Sequence, residues 1–238
     1  MLEDQVVMKI VKTRFLCERK HIMAGFNLFR YLADFTHVLS ILLLLKKVYK
    51  QKSVTGLSLK TQILYLIVFC ARYLDLFWNW TFLYNVIMKI FYISITVFTI
   101  YLISFKYRAT YQLEFDLLPL LYVLVPSIIG ATIFTSKYTL IEILWTFSLI
   151  LEAVSMLPQS LFLHKSGEVE SFTSDYIVTL GLYRFFYVLS WLWRTFVLHI
   201  HVPLIVWITG ITQTVLYADF IYYYFKAKLK GEKMQLPL

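Results

Sequence analysis

Charge is scarce in this chain. Asp, Glu, Lys and Arg make up only 16% of its 238 residues, while 60% are hydrophobic. A soluble domain carries about 25% charged residues. A membrane span needs about 20 mostly apolar residues, and the apolar runs here consume most of the length, leaving no room for a separate soluble domain. Cysteine is nearly missing. Cys17 and Cys70 are the only two, and Cys70 lies inside an apolar run, so no disulfide framework is expected. Residues 1–22 lack the uninterrupted apolar core of a secretory signal peptide, so the first span is expected to act as the insertion signal. No Gly-rich phosphate loop, nucleophile motif or zinc-type His/Cys spacing is found. An enzyme is therefore not expected, nor a metal or cofactor.

What is present is a series of apolar runs near 27–45, 61–79, 83–105, 116–134, 139–163, 174–195 and 203–225. They predict seven transmembrane helices, an all-α integral membrane protein. The net charge of +9 could point to nucleic acid, but the lysines fall between apolar runs rather than on one solvated face. Lys46, Lys47, Lys50, Lys52, Lys60, Lys106, Arg108, Lys165, Lys226, Lys228, Lys230 and Lys233 lie after odd-numbered spans. The loops after the even-numbered spans hold only Lys137. Cytosolic loops collect Lys and Arg, which places the N-terminus in the lumen or exterior and the C-terminus in the cytosol. Lys9, Lys12, Arg14, Arg19 and Lys20 oppose this direction.

Several ionisable residues fall within or at the ends of these runs: Asp34, His37, Arg72, Asp75, Glu142, Glu152, Arg184, Arg194 and Asp219. Any one can be a structural pair within the bundle, but so many together predict a polar cavity. Arg72 and Asp75, three apart in CARYLDLFWNW, are expected to share a helix face and one water-filled pocket. Lys89 is expected to sit at an interface. His37, mid-span in LADFTHVLSILLLL, is either a packed, hydrogen-bonded residue or a proton-sensing switch. The sequon Asn79-Trp80-Thr81 lies on the predicted lumenal side, close enough to the membrane to stay mostly unmodified.

The stretches FNLFRYLADFTHVLS, GLSLKTQILY, ARYLDLF, IEILWTFSLILEAVSMLPQSLF, SGEVESFTSDYIVTLGLYRFFYVLSWLWR, QTVLYADFIYYY and LKGEKMQLPL occur in that order. Together they resemble the ER lumen protein-retaining receptors, or KDEL receptors, from about residue 26 to the end. The resemblance implies a SWEET-like fold with a PQ-loop element at Leu157-Pro158-Gln159: two three-helix bundles plus a linking helix. It implies a receptor for the C-terminal Lys/His-Asp-Glu-Leu of escaped ER proteins, binding more tightly in the acidic Golgi and returning to the ER in COPI vesicles. The expected locations are the ER membrane, the Golgi membrane and those vesicles. The expected partners are retrieval peptides, the COPI coat and membrane lipids, with no nucleic acid.

Residue by residue, the resemblance assigns Arg72 to the terminal carboxylate, Arg30 to the Glu and Arg194 to the Asp of the ligand. Asp75 and Glu142, with Trp145, match groups around its Lys/His end, and Tyr73 belongs to the same pocket. His37 and Tyr183 match a pH-sensing pair, Glu152 matches an acid able to pair with Arg194, and Tyr187 fits the same polar interior. Asp219 matches a latch for the return signal, of which Lys228 and Lys230 are part. The sequence departs from the family at Ser190, where Asn is usual, in HIHVP, which lacks a familiar Asp, and at Glu232, where a lysine is common. Three domains are expected: a lumenal extension over 1–25, the receptor over 26–225 and a cytosolic Lys-rich tail over 226–238. The competing reading is a SWEET-like small-solute transporter, since one fold hosts both roles. Three cavity arginines argue against a neutral sugar but leave an anionic solute open.

Overall fold

The computed structural model describes residues 27–77, 83–166, 168–169, 171–230 and 234–235. Helix α1, Leu28–Gln51, starts where the Asn27 side chain accepts the Phe29 N–H, and stops at Lys52 in the left-handed region (φ 49°). Helix α2, Leu59–Arg72, is capped by Ser58, which accepts the Thr61 N–H. A short 3₁₀ turn, Leu74–Phe77, follows it. Helix α3, Leu83–Tyr101, runs into a π-turn over Leu102–Lys106. Helices α4, Leu121–Phe134, α5, Leu140–Val154, and α6, Leu157–Ser166, come next. Helix α7, Ser171–Leu192, ends in a π-turn over Trp193–Val197, and α8 spans Leu204–Lys230. Strands β1, Glu168–Val169, and β2, Met234–Gln235, pair antiparallel.

Among the described residues, five helical stretches are long and apolar enough to cross a membrane: Leu28–Gln51, Leu83–Lys106, Leu140–Ser166, Ser174–Val197 and Leu204–Lys230. The shorter α2 and α4 complete the seven predicted helices of an all-α multi-pass protein. Three boundaries differ from the sequence reading. The second span stops at Arg72, and residues 78–79, with the Asn79 sequon, lie outside the described residues. The fourth begins at Leu121, because Asp116 is spent on capping α2 and Pro119 precedes the first turn. The fifth breaks at Ser155 and restarts as α6, placing Pro158 in a first turn, where its missing N–H costs nothing.

Packing repeats across the chain. Helix α1 packs on α7 as α5 packs on α2, and α2 packs on α3 as α7 packs on α8, while α4 lies against α5. Close approach depends on glycine at two places. A Cβ on Gly210 would stand 2.1 Å from the Trp191 ring, and one on Gly181 2.6 Å from Ile221.

The end bearing Lys46, Lys50 and Lys230 is filled. Leu44, Val48, Leu57, Leu102, Phe162 and Ile177 belong to one buried cluster there. Asp116, itself buried, accepts from Ser58 Oγ at 2.9 Å, the Lys60 N–H at 3.1 Å and Tyr111 Oη at 2.6 Å. Burial and this carboxylate push the Tyr111 hydroxyl above its ordinary pKa. Gln159 accepts the Ser58 N–H at 2.8 Å and donates to the Gly56 carbonyl at 2.9 Å, tying α6 to the entry of α2. Lys47, read from sequence as a loop lysine, is buried within α1 and donates to the Thr55 carbonyl.

Candidate functional site

At the opposite end a cavity of about 440 Å³ opens between α1, α2, α3, α5, α7 and the start of α8. Among the described residues its wall carries five cationic side chains, Arg30, Arg72, Lys89, Arg184 and Arg194, and two carboxylates, Asp34 and Glu152. The formal balance is +3 with His37 neutral. In an apolar bundle such a surplus asks for an anion.

Glu152 is the centre of the site. Its Oε2 accepts from the Arg72 guanidinium, and its Oε1 from Arg184 and, at 2.6 Å, from Tyr183 Oη. Arg72 also donates from Nε to Ser148 Oγ at 3.1 Å and to the Ser148 carbonyl at 3.0 Å. The expected pairing of Glu152 with Arg194 is not formed. Arg72 from α2 and Arg184 from α7 close on Glu152 at its own level, whereas Arg194 lies ten residues beyond Arg184 on the π-turn. Half-buried Arg194 lines the cavity, and its Nε has no hydrogen-bond partner among the described residues. Gln213 of α8 donates to Tyr183 Oη at 3.3 Å, connecting the last helix to this centre.

His37 is buried between two tyrosine rings. Its centroid lies 4.5 Å from that of Tyr92 and 4.3 Å from that of Tyr183, both stacked. Above it, Arg30 donates to Asn85 Oδ1 at 2.9 Å and stands 4.0 Å from the Asp34 carboxylate. Asp34 also accepts from Tyr84 Oη at 3.0 Å and Tyr187 Oη at 2.6 Å. Ser190 accepts from Asn27 Nδ2 at its Oγ, 3.1 Å, and at its carbonyl, 3.3 Å, so it secures the start of α1.

A second cavity of about 440 Å³ adjoins the first, lined by Arg72, Tyr73, Asp75, Lys89, Glu142 and Trp145 among others. One expectation changes here. Arg72 and Asp75 do not share a helix face, because α2 ends at Arg72; the two border one cavity from a helix end and a 3₁₀ turn. Lys89 Nζ donates to Asp75 at 2.6 Å and lies 5.8 Å from the Tyr73 ring centroid. Arg72 and Lys89 line both cavities, so the two together carry five cations against Asp34, Asp75, Glu142 and Glu152, a formal balance of +1.

Ten of the residues singled out from sequence thus meet around two adjoining cavities: Arg30, His37, Arg72, Tyr73, Asp75, Glu142, Trp145, Glu152, Tyr183 and Arg194. The other three lie elsewhere. Lys228 and Lys230 close α8, where Lys228 Nζ donates to Tyr224 Oη at 3.3 Å and Tyr224 Oη donates to Asp175 at 2.8 Å. Asp219 is exposed on the outer face of α8 and bonds neither lysine. Sequence reasoning assigned no site role to Asp34, Asn85, Lys89 or Arg184. Asp34, Lys89 and Arg184 were visible as charges inside apolar runs, and Asp34 stands one helical turn before His37; Asn85 carried no such signal.

A profile of the ER lumen protein retaining receptor family matches residues 53–194. Three relatives carry the name ER lumen protein-retaining receptor. That of Entamoeba histolytica is 48% identical over 212 residues, that of Dictyostelium discoideum 46% over 218, and that of Drosophila melanogaster 42% over 211. Each alignment covers 89% of this chain and 99% of the relative.

Proposed function

The chain belongs to the ER lumen protein-retaining receptor family, and we propose that it captures the C-terminal Lys/His-Asp-Glu-Leu signal of escaped ER proteins in the Golgi and returns them to the ER through the COPI coat. The observation that carries this reading is the balance of charge. A ligand end with Asp, Glu and a terminal carboxylate brings three negative groups to a cavity where four arginines face only Asp34 and Glu152, a formal surplus of +2 with Lys89 spent on Asp75. Arg72 receives the carboxylate, Arg30 the Glu and Arg194 the Asp. Arginine suits all three because its planar fork grips a carboxylate twice. The fourth-last residue lies in the second cavity, near Asp75, Glu142 and Trp145, with Tyr73 between the two.

A proton enters the same account. Arg72 and Arg184 already exceed the charge of Glu152. A further positive charge on His37 is disfavoured while the cavity is empty of anions and favoured once the peptide brings them. Proton and peptide therefore bind cooperatively, with His37, Tyr183 and Glu152 as the switch. The cavity mouth faces the lumen and α8 ends in the cytosol, where Lys228 and Lys230 form the return signal under the control of Asp219. Residues 1–25, which lie outside the described residues, are assigned on this reading to a lumenal extension that precedes the receptor domain.

The test is binding of the purified protein to Lys-Asp-Glu-Leu and His-Asp-Glu-Leu tetrapeptides at pH 5.5 and 7.4, about the Golgi-to-ER range over which a histidine titrates. Tight binding of the free-acid peptides at the lower pH is the expected result. Binding that ignores the peptide's last residue, or anion flux in proteoliposomes, would overturn it.

A further inference from the structure

Asp219 faces the wrong way for a charge within a membrane span. Such groups nearly always face the bundle interior or a water-filled cavity. Asp219 is exposed on the outer surface of α8 and makes no hydrogen bond or ion pair with any described residue. Around it that surface is apolar, with Ile208, Ile211, Val215, Leu216 and Tyr222 exposed. Lys226, seven residues on, lies about 10 Å further along the axis at the helical rise of about 1.5 Å per residue. Its Nζ sits over the Tyr222 ring, 5.8 Å from the centroid. The carboxylate thus stands one turn before the tyrosines that open the lysine-rich end, inside the stretch Leu204–Lys230 that is long and apolar enough to cross a membrane.

Beside it runs a groove of about 370 Å³ between α7 and α8. Gly181 lies on its α7 wall, and Thr214, Ala218 and Tyr222 on its α8 wall. Ala218 and Tyr222 flank Asp219 along the helix. Small residues let a further helix approach closely, and in lipid, where apolar surface alone does not drive association, a polar contact between helices adds to that packing. A carboxylate offers only acceptors, so the complementary group is a cation or a strong donor.

We infer that this face docks a transmembrane helix of another protein, one carrying a Lys or Arg level with Asp219 and packing in the groove between α7 and α8. Such a partner gives Asp219 its role in the proposed return step from outside the bundle, not as a latch on the chain's own lysines. The inference rests on the receptor reading only for that purpose, since the contact itself is independent of the peptide cavity.

The experiment uses the full-length protein in liposomes, labelled at its C-terminus, with a synthetic single-span Leu/Ala helix bearing one Lys level with Asp219, or Leu in its place. Energy transfer reads association, and tetrapeptide binding is measured on the same samples. The Lys helix should associate roughly tenfold more tightly than the Leu helix, in the range model peptides give for polar contacts. Asp219→Asn should remove that preference while tetrapeptide binding stays intact. Equal association of both helices, or a Lys preference that survives Asp219→Asn, overturns the inference. So does receptor-to-receptor transfer that depends on Asp219 without any Lys preference, which would assign the face to self-association. If Asp219→Asn loses tetrapeptide binding, Ala218→Trp decides, because it fills the groove from outside: a Lys preference surviving that change overturns the inference, and its loss supports it. Failure of the receptor reading would show separately, as lost tetrapeptide binding by the unaltered protein.

Discussion

The His37 and Tyr183 rings lie 4.3 Å apart and 11° from parallel, while the Tyr183 hydroxyl donates to Glu152. A change of charge on the imidazole is therefore felt one side chain away at the carboxylate that holds two arginines. Binding that tightens as pH falls means that the complex holds more protons than its separated parts. One linked proton changes affinity by at most tenfold per pH unit, about 1.36 kcal/mol. Tetrapeptide affinity should fall on going from pH 5.5 to 7.4, roughly the window of an imidazole. His37→Ala should flatten the profile. An unchanged profile in that variant would remove His37 from the switch, and a slope above tenfold per unit would bring in a second group, with Glu152 first in line.

Arg72→Ala should abolish capture of the peptide carboxylate without unfolding the protein. Glu152 keeps Arg184 and Tyr183 when Arg72 is gone, so the centre retains its pairing. The ligand loses its partner, a loss of about 3–5 kcal/mol for one side of a buried pair, or roughly two to three and a half decades in affinity. A peptide amidated at its C-terminus should lose affinity similarly on the unaltered protein. Equal binding of acid and amide peptides would remove carboxylate capture.

Gly210→Ala should destabilise the fold, because the added Cβ meets the Trp191 ring at 2.1 Å. Overpacking of this kind costs about 1–3 kcal/mol. Trp191→Leu in the same chain should recover part of the loss, giving a coupling of about 0.5–3 kcal/mol as for residues in contact. Thermal unfolding of the two single variants and the double variant checks this. Additive losses would mean that the two helices separate without strain.

Replacing Lys228 and Lys230 with Ser should leave tetrapeptide binding unchanged and strand the protein in the Golgi. The lysines close α8, far along the chain from the cavity residues at its start. Paired binding and localisation assays score it. Normal return to the ER by the double variant would reject the signal.

Deleting residues 1–22 should preserve insertion and peptide binding. The alignments take in nearly the whole of each relative while leaving about a tenth of this chain outside. Loss of either property would assign the extension a structural task.

The seven helices could be read from hydropathy alone, because lipid demands long apolar runs. The helix ends could not. Arg72 and Asp75 looked like neighbours on one face only if α2 continued past Tyr73, and its termination there is a tertiary outcome. Likewise, spacing along the chain does not reveal that Lys89 pairs with Asp75, fourteen residues back. The pocket residues supplied by family resemblance do meet in space, but the pairing of Glu152 depends on the relative depth of Arg184 and Arg194, which spacing along a helix does not specify.

The knot of Ser58, Asp116, Tyr111 and Gln159 seals the end of the molecule away from the cavity. On the proposed reading, a binding chamber closed at this end exchanges protons and ligand with a single compartment. A pH difference between compartments would then perform no work on the cargo at the membrane: acidity would serve as an address, read at equilibrium in each location, and the energy for directed travel would come from the proposed vesicle cycle.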